Sequence, residues 1–172
     1  YTIPKTGDKK KLLELSYKNA WFYFNDMQER KNLQQDRGQR SLSLLKQVQK
    51  DLVLKKLPMV IECFDNSNMQ GSYPVAALVV FKNAKPFKRE YRHYNIKNVE
   101  GPDDFASMEE VIYRRYRRLL EEGEKLPDLI VVDGGKGQVS SAYKSLCSLG
   151  IEGQAEMVGI AKRFEEIYKV GD

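Results

Sequence analysis

Two short apolar runs in this chain each end in an aspartate. Residues 59–65 read MVIECFD and residues 127–133 read PDLIVVD, and a polar or glycine-rich turn follows each run. Short runs rich in β-branched residues predict buried strands, and α/β proteins bind ligands beyond the carboxyl ends of such strands. A lone aspartate at such a point often only closes the turn. Because the pattern occurs twice, Asp65 and Asp133 are candidate site residues.

A third carboxylate stands at the start of a helix that is predicted to run to about residue 122. Asp103 and Asp104 both fit a helix cap, because a carboxylate there accepts the first backbone N–H groups and interacts favourably with the helix dipole. Ser107 and Glu110 fit a capping box, so the cap does not require Asp104. The predicted buried face of this helix consists of Phe105, Met108, Ile112, Tyr116 and Leu119.

The three aspartates would share one crevice if the two strands are neighbours and the helix starts at the same end of the sheet. Carboxylate oxygens suit Mg²⁺ and Mn²⁺, which keep some bound water and accept a substrate phosphate. Ions held in this way activate water and stabilise the leaving oxygen when a phosphodiester is attacked. Asp65, Asp104 and Asp133 are therefore predicted as metal ligands and catalytic residues, with Mg²⁺ or Mn²⁺ as the cofactor.

The turn after the second aspartate reads GGKGQ at residues 134–138. It lacks the glycine spacing of a P-loop, and a glycine stands where Ser or Thr should follow the lysine. Backbone amides at the start of the next helix could still hold a phosphate oxygen, with the Lys136 charge beside it. The candidate phosphate or DNA contacts are Gly134, Gly135, Lys136, Gly137, Arg114 and Arg115.

A basic run near residues 87–97 offers a second possible contact with nucleic acid. Its members are Lys88, Arg89, Arg92, His93 and Lys97, interleaved with Tyr91 and Tyr94. Basic side chains of this kind contact phosphates, and aromatic ones stack on bases. An ordinary solvated edge strand explains the same residues equally well.

The elements that must position these residues follow from the apolar pattern. Residues 6–54 are predicted to be helical in two pieces that separate near residues 36–38. The composition changes at Leu57 and Pro58, which predicts a helical arm at 1–57 and an α/β domain at 58–172.

Within that domain three strands come first, followed by a helix, a strand, a helix and a strand. The predicted strands cover residues 59–65, 75–81, 87–96, 127–133 and 155–161, and the second helix covers 138–149. This order predicts a ribonuclease H-like α/β fold. In such a fold, a three-strand meander adjoins parallel strands joined by crossover helices in a mixed sheet.

Composition narrows the class of protein. The 172 residues carry a formal net charge of +5, which is compatible with a polyanion partner without requiring one. No apolar run approaches the roughly 20 residues of a membrane span. Cys63 and Cys147 have no metal-ligand spacing, which favours reduced thiols and a cytoplasmic location. Because the chain starts without Met, we expect a fragment of a longer protein.

Five motifs in the same order resemble UvrC, the family of incision subunits of the bacterial UvrABC nucleotide excision repair nuclease. They are FDNSN at 64–68 with Gly71, GPDDFASM at 101–108, RRY at 114–116, VDGGKGQ at 132–138 and GIAKR at 159–163. The resemblance implies a ribonuclease H-like domain that uses divalent metal to incise damaged double-stranded DNA on the 5′ side of a lesion. It assigns the family's carboxylates to Asp65, Asp104 and Asp133.

The resemblance also implies a UvrB–DNA complex as partner, with the UvrB-binding segment outside this chain. The family commonly has His at the position of Asn68. A second His, which is catalytic in the family, would lie beyond Asp172, and His93 falls in the wrong motif to replace it. The resemblance therefore implies a nuclease domain that is incomplete at its carboxyl end. The chain alone is expected to be nearly inactive, with the sheet face beside Val158 and Ile160 partly uncovered. The alternative is a catalytically silent nucleic-acid-binding module of the same fold, and the failed P-loop pattern disfavours a small-molecule phosphotransferase.

Overall fold

The structure is a computed structural model that describes residues 4, 6–67, 75–97, 99, 103–161 and 166–171, with the backbone alone at residues 30–37 and 67. Six residues of the quoted motifs lie outside the described residues: Asn68, Gly71, Gly101, Pro102, Lys162 and Arg163. The chain divides into two compact units, Tyr1–Leu42 and Ser43–Asp172.

A single helix, α1 (Gly7–Asp51), replaces the two helical pieces predicted near the start of the chain. The predicted break near Gly38 is wrong, because one glycine inside a helix costs only about 1 kcal/mol relative to alanine. Among the described side chains of the first unit, the large apolar ones of α1 are exposed, and they include Leu12, Trp21 and Phe22. None of the described helices is long and apolar enough to cross a membrane.

The last turns of α1 belong to the second unit. Leu45 in these turns is buried, and Leu54 just after them packs against Leu129 and Val158 of the sheet. The division after Leu42 therefore differs from the later boundary predicted at the change of composition. The composition of a helix does not reveal that its final turns are buried against a sheet.

Within the described residues, one sheet of seven strands organises the second unit. Its strands are β1 (Val60–Ser67), β2 (Val75–Lys82), β3 (Lys85–Pro86), β4 (Arg92–Asn95), β5 (Leu129–Asp133), β6 (Glu156–Ala161) and β7 (Glu166–Lys169). The order across the sheet is β3-β2-β1-β5-β6-β7, and β4 also pairs with β2. β5 pairs in parallel with both β1 and β6, and the remaining pairs are antiparallel.

Four of the predicted strands are confirmed, with ends that lie within two residues of those expected. The strand predicted over residues 87–96 is wrong as a single element. A 3-10 turn at Lys88–Glu90 and the short strand β4 replace it, and β3 lies just before them. No sequence pattern predicts β7, since its four residues are too few to show an alternation.

The two helices predicted in this domain are confirmed as α2 (Asp104–Glu121) and α3 (Lys136–Ser148), and both pack over one face of the sheet. Gly123 and Gly150 follow them with positive φ angles of 67° and 68°, which glycine adopts without strain. The sheet face beside Val158 and Ile160, which was expected to be partly uncovered, is exposed only at Ile160. Ile160 is 39% exposed, whereas Val158 is buried because Leu54 packs over it.

Candidate active site

Asp65 and Asp133 stand at the carboxyl ends of two neighbouring parallel strands. β1 and β5 pair in register up to Phe64 and Val132, and the two aspartates are the next residues along. Phe64 and Val132 belong to the core beneath α2 and α3, so the alternation of side chains places both carboxylates on the opposite face. Asp65 is exposed and Asp133 is half-buried. The prediction that these strand ends are adjacent is confirmed.

Asp104 lies in the first turn of α2, and a different residue caps that helix. The Asp103 carboxylate accepts the backbone N–H groups of Phe105 and Ala106, at 3.0 Å each. The Ser107 hydroxyl donates to the Asp103 carbonyl at 2.7 Å, so the capping box predicted at Ser107 is wrong. The cap is therefore accounted for without the Asp104 carboxylate.

Two contacts hold the first turn of α2 in place, one with the end of β1 and one with the first turn of α3. The side-chain amide of Asn66, the residue after Asp65, donates to the Asp104 carbonyl at 3.1 Å. On the other side, the Phe105 ring lies against Gly137 in the first turn of α3, where an added Cβ would lie 2.9 Å from Phe105 Cζ. Because it packs sideways in this way, Phe105 is 49% exposed, and its predicted place on the buried face is wrong. These contacts set the position of Asp104.

The donors at this end of the sheet suit a hard divalent cation, because they are carboxylate and amide oxygens. Asn66 Oδ1 is buried and has no hydrogen-bond partner, and such an acceptor is satisfied by a nearby cation or water. Within the described residues, however, no three His, Cys, Asp or Glu side chains converge closely enough to hold a metal ion. The site formed by three aspartates therefore stays a prediction, with two of its members on adjacent strands.

The glycine-rich turn after Asp133 packs directly on β6. The Gly134 N–H donates to the Ile160 carbonyl at 3.0 Å. A Cβ on Gly159 would lie 2.6 Å from the Gly134 carbonyl oxygen, so only glycine permits this approach. The contact fixes the direction in which the turn leaves β5.

The first turn of α3 has the features of a phosphate contact. Gly135 precedes the helix and provides no side-chain cap, and backbone N–H groups at a helix start are able to bind a phosphate oxygen. Lys136 is exposed, and its Nζ lies 5.5 Å from the centre of the Tyr168 ring. The predicted role of Gly134, Gly135, Lys136 and Gly137 as phosphate contacts remains untested.

Arg115 lies inside the domain and does not reach its surface. It is 8% exposed, and its guanidinium donates to the Glu62 carboxylate of β1 at 2.6 Å. The Tyr116 hydroxyl donates to the same carboxylate at 3.0 Å. Burial raises the pKa of Tyr116 well above its usual value, and the Glu62 charge adds to this rise. The predicted phosphate contact at Arg115 is therefore wrong, because its guanidinium is buried against the Glu62 carboxylate.

Arg114 lies closer to the surface but also has partners. Its guanidinium donates to Glu110 at 3.0 Å and to the Asn95 carbonyl at 2.9 Å. It also lies 5.6 Å from the centre of the Tyr94 ring. These contacts connect α2 to β4, so a phosphate would compete with them for the Arg114 guanidinium.

Sequence reasoning finds the carboxylates but misses the residues that position them. In the sequence Asn66 resembles a turn residue, although the alternation after Asp65 would place its side chain on the helix side of the sheet. Glu62 interrupts an otherwise apolar run, which is the pattern of a paired charge in a buried strand. The contact between Phe105 and Gly137 leaves no local pattern, because the two residues lie on different helices.

The fold and the adjacent strand-end aspartates define an α/β domain with a mixed sheet and an acidic carboxyl edge. The family model of the UvrC RNAse H endonuclease domain matches residues 49–170 of the chain. The UvrABC system protein C of Flavobacterium johnsoniae is 56% identical over 172 residues, a match that covers 99% of this chain and 28% of that protein. Its counterpart in Christiangramia forsetii is 59% identical over 167 residues, covering 96% and 28%.

The chain belongs to the UvrC RNase H endonuclease domain family, and the predicted ribonuclease H-like fold is confirmed. It spans 28% of the length of the curated relatives it matches. Among solved structures, Ciona intestinalis endonuclease V, in complex with a 24mer DNA containing an inosine followed by a ribo-adenosine, is 16% identical with a TM-score of 0.45. That match covers 63% of this chain and 48% of that one. A TM-score in this range is too low to support a functional argument.

Proposed function

We propose that this chain is the nuclease domain of a nucleotide excision repair protein that cuts damaged double-stranded DNA on the 5′ side of a lesion. The family model and the name shared by the relatives support this proposal. The observation that carries it is the placement of Asp65 and Asp133 on adjacent strand ends. The hydrogen bond from the Asn66 side chain to the Asp104 backbone carbonyl brings the start of α2 next to that edge, which supports Asp104 as the third carboxylate.

The proposed cofactor is Mg²⁺ or Mn²⁺, with Asp65, Asp104 and Asp133 as ligands. When bound, such an ion supplies activation of water and neutralisation of charge on the attacked phosphate. The chain itself keeps two of the donors on paired strands, which are rigid elements. At the start of α3, Lys136 and the nearby backbone N–H groups would bind a phosphate oxygen and orient the substrate beside these carboxylates.

A catalytically silent nucleic-acid-binding module is the second candidate. One observation favours it, namely that no three metal-ligating side chains converge within the described part of the chain. In such a module the aspartates would serve only as turn and helix-end residues, and divalent metal would not alter its action on DNA. A nuclease requires the metal for strand cleavage, so a titration with Mg²⁺ or Mn²⁺ separates the two candidates.

The proposed partner is a UvrB–DNA complex, and the proposed location is the cytoplasm. The partner is supported by the name of the relatives, UvrABC system protein C. The location is supported by Cys63 and Cys147, which are free cysteines, as is usual in a reducing compartment. Both proposals concern a whole protein, of which this chain matches 28%.

The test uses a chimaera in which this chain replaces the matching segment of the Flavobacterium johnsoniae relative. Incision of a lesion-bearing duplex is measured with the other UvrABC components and Mg²⁺ or Mn²⁺. Asp65→Asn and Asp133→Asn should each lower the incision rate by roughly 100-fold or more. Asp128→Asn at the opposite end of β5 is the matched control. Asp128 accepts the Val60 N–H at 2.8 Å, and asparagine keeps an accepting oxygen, so incision should stay normal.

Asp104→Asn extends the same test to the third carboxylate. It should lower incision without lowering the melting temperature, because Asp103 provides the helix cap. Normal 5′ incision by the Asp65→Asn and Asp133→Asn chimaeras would contradict the proposed nuclease. The 172-residue chain alone should cut far more slowly than the chimaera.

A further inference from the structure

Two basic regions of the second unit differ in whether their charges are paired. The first is α2, where each arginine has a carboxylate partner. The pairs are Arg114 with Glu110 at 3.0 Å, Arg115 with Glu62 at 2.6 Å, Arg117 with Glu121 at 2.9 Å and Arg118 with Glu122 at 2.7 Å. A polyanion that approached α2 would therefore meet arginines whose charge is already balanced.

The second region, which we call the basic edge, covers β3, β4 and the turn between them. It consists of Lys85, Lys88, Arg89, Arg92, His93 and Lys97, and all six residues are exposed. Within the described part of the chain, none of the six takes part in an ion pair. The one acidic residue of this stretch, Glu90, pairs with Lys82 of β2 at 2.7 Å. The basic edge therefore carries positive charge that no carboxylate of the described residues balances.

The strand register connects the basic edge to the candidate active site. Asp65 pairs with Ala77 across β1 and β2, and Ala77 pairs with His93 across β2 and β4. Directly paired residues share a face of the sheet, so His93 lies on the same face as Asp65, about 10 Å away at two strand spacings. Asp133 continues this row on β5. Ala77, which lies between His93 and Asp65 in this row, has a small side chain.

The aromatic residues of the basic edge do not face a ligand. Tyr91 and Tyr94 are half-buried and pack against the hydrophobic core, so the predicted stacking on bases does not fit their positions. Exposed charge without exposed aromatic rings suits phosphates and not base edges. The chemistry of the basic edge thus favours contact with a sugar-phosphate backbone, independent of sequence.

We propose that the basic edge binds the backbone of the DNA strand that is cut, next to the cleaved phosphodiester. The strand would run along the row from Asp133 and Asp65 towards His93, across the direction of the β-strands. This inference rests on the proposed function, because it places the reacting phosphate at the carboxylates. The paired arginines of α2 would contribute little to the same binding.

The test compares two variants of this chain that lose the same charge. One carries Lys88→Gln and Arg89→Gln in the basic edge, and the other carries Arg117→Gln and Arg118→Gln on α2. Binding to a DNA duplex without divalent metal is followed by fluorescence anisotropy at several salt concentrations. Loss of two phosphate contacts should weaken binding roughly tenfold and reduce the slope of log affinity against log salt by about 2. The α2 variant should stay within about twofold of the parent, with an unchanged slope.

Equal losses in the two variants would show that net charge alone attracts DNA, and they would overturn the proposal. An unchanged affinity in the basic-edge variant would overturn it as well. The proposed nuclease stands or falls separately, through incision by the Asp65→Asn and Asp133→Asn chimaeras. If those chimaeras incised DNA normally, the proposed nuclease would be wrong. A difference in DNA affinity between the two charge variants would still show that the basic edge binds DNA.

Discussion

Strand β1 carries two acidic side chains, three residues apart, that differ in face, burial and partners. Glu62 is 2% exposed on the helix side of the sheet, where Arg115 and Tyr116 donate three hydrogen bonds to it. Asp65 is exposed at the end of the same strand, on the opposite face and beside Asp133. A buried carboxylate with a cationic partner holds a domain together, whereas carboxylates grouped at a strand end are typical of functional sites.

Residue type and strand position therefore do not by themselves separate structural acids from functional ones. Glu62 and Asp65 both follow apolar residues in the same short run. Removing a cation from a buried carboxylate is costly, because the remaining charge is left in a medium of low dielectric constant. A charge at an exposed strand end is solvated, so changing it should alter chemistry far more than stability.

Removing the buried ion pair between Glu62 and Arg115 should have the largest effect on stability. Arg115→Met leaves the Glu62 carboxylate buried without its cation, which should lower the free energy of unfolding by about 3–5 kcal/mol. Urea denaturation measures this loss. Adding Glu62→Leu should restore much of it, because no buried charge then remains.

The matched control for Arg115→Met is Arg117→Met, at an exposed position two residues later on the same helix. It should leave the urea midpoint nearly unchanged, since surface ion pairs contribute little. If Arg115→Met were as stable as the parent, Glu62 and Arg115 would not form the buried pair described here.

A smaller effect on stability is expected at Gly137, where a substitution tests how Asp104 is positioned near the strand-end carboxylates. Gly137→Ala should push the Phe105 ring aside and shift the neighbouring Asp104. Because the ring is half exposed and can move, the cost to stability should be about 1 kcal/mol or less. Incision by the chimaera should fall further than this loss of stability explains. Asp65 and Asp133 stay in place, so the effect isolates the positioning of the third carboxylate.

The Phe105→Ala background gives the control for Gly137→Ala. Without the ring there is nothing to displace, and alanine in the helix should then be neutral or stabilising by up to about 1 kcal/mol. A change of sign between the two backgrounds identifies direct contact. The same cost in both would mean that Phe105 does not explain the glycine.

The sequence predicts the carboxylates of this domain better than their surroundings. Asp65 and Asp133 each follow a short apolar run rich in β-branched residues. Such a run predicts a strand and where it ends, so the local sequence suffices to place both aspartates. The pairs formed by Glu62 with Arg115 and by Phe105 with Gly137 join distant elements that only the folded chain brings together. The unbroken α1 has a similar cause, because the weak preference of one glycine is outweighed by its helical neighbours.

The smallest expected effect concerns Cys63, which lies between the two acidic residues of β1. Burial, and to a lesser extent the Glu62 charge, raise the pKa of the Cys63 thiol to about 11. Its reactive thiolate should therefore be scarce near neutral pH and increase only as the pH approaches that value. Cys147 is exposed on α3 and serves as the internal control.

Alkylation by iodoacetamide, followed by mass spectrometry of the peptides, tests this difference between the cysteines. At about pH 8, Cys63 should react at least tenfold more slowly than Cys147, and the gap should narrow at higher pH. Equal rates at the lower pH would show that β1 is not buried at this position.

The divalent-cation site proposed at the carboxyl ends of β1 and β5 can be measured on this chain through its binding of Mn²⁺. Titration followed by electron paramagnetic resonance measures the affinity of the parent, of Asp65→Asn, of Asp133→Asn and of the control Asp128→Asn. We expect Mn²⁺ affinity to fall roughly tenfold or more in each strand-end variant and to stay at the parent value in the control. Mn²⁺ binding that is unchanged in both strand-end variants, or equally weakened by Asp128→Asn, would contradict the account.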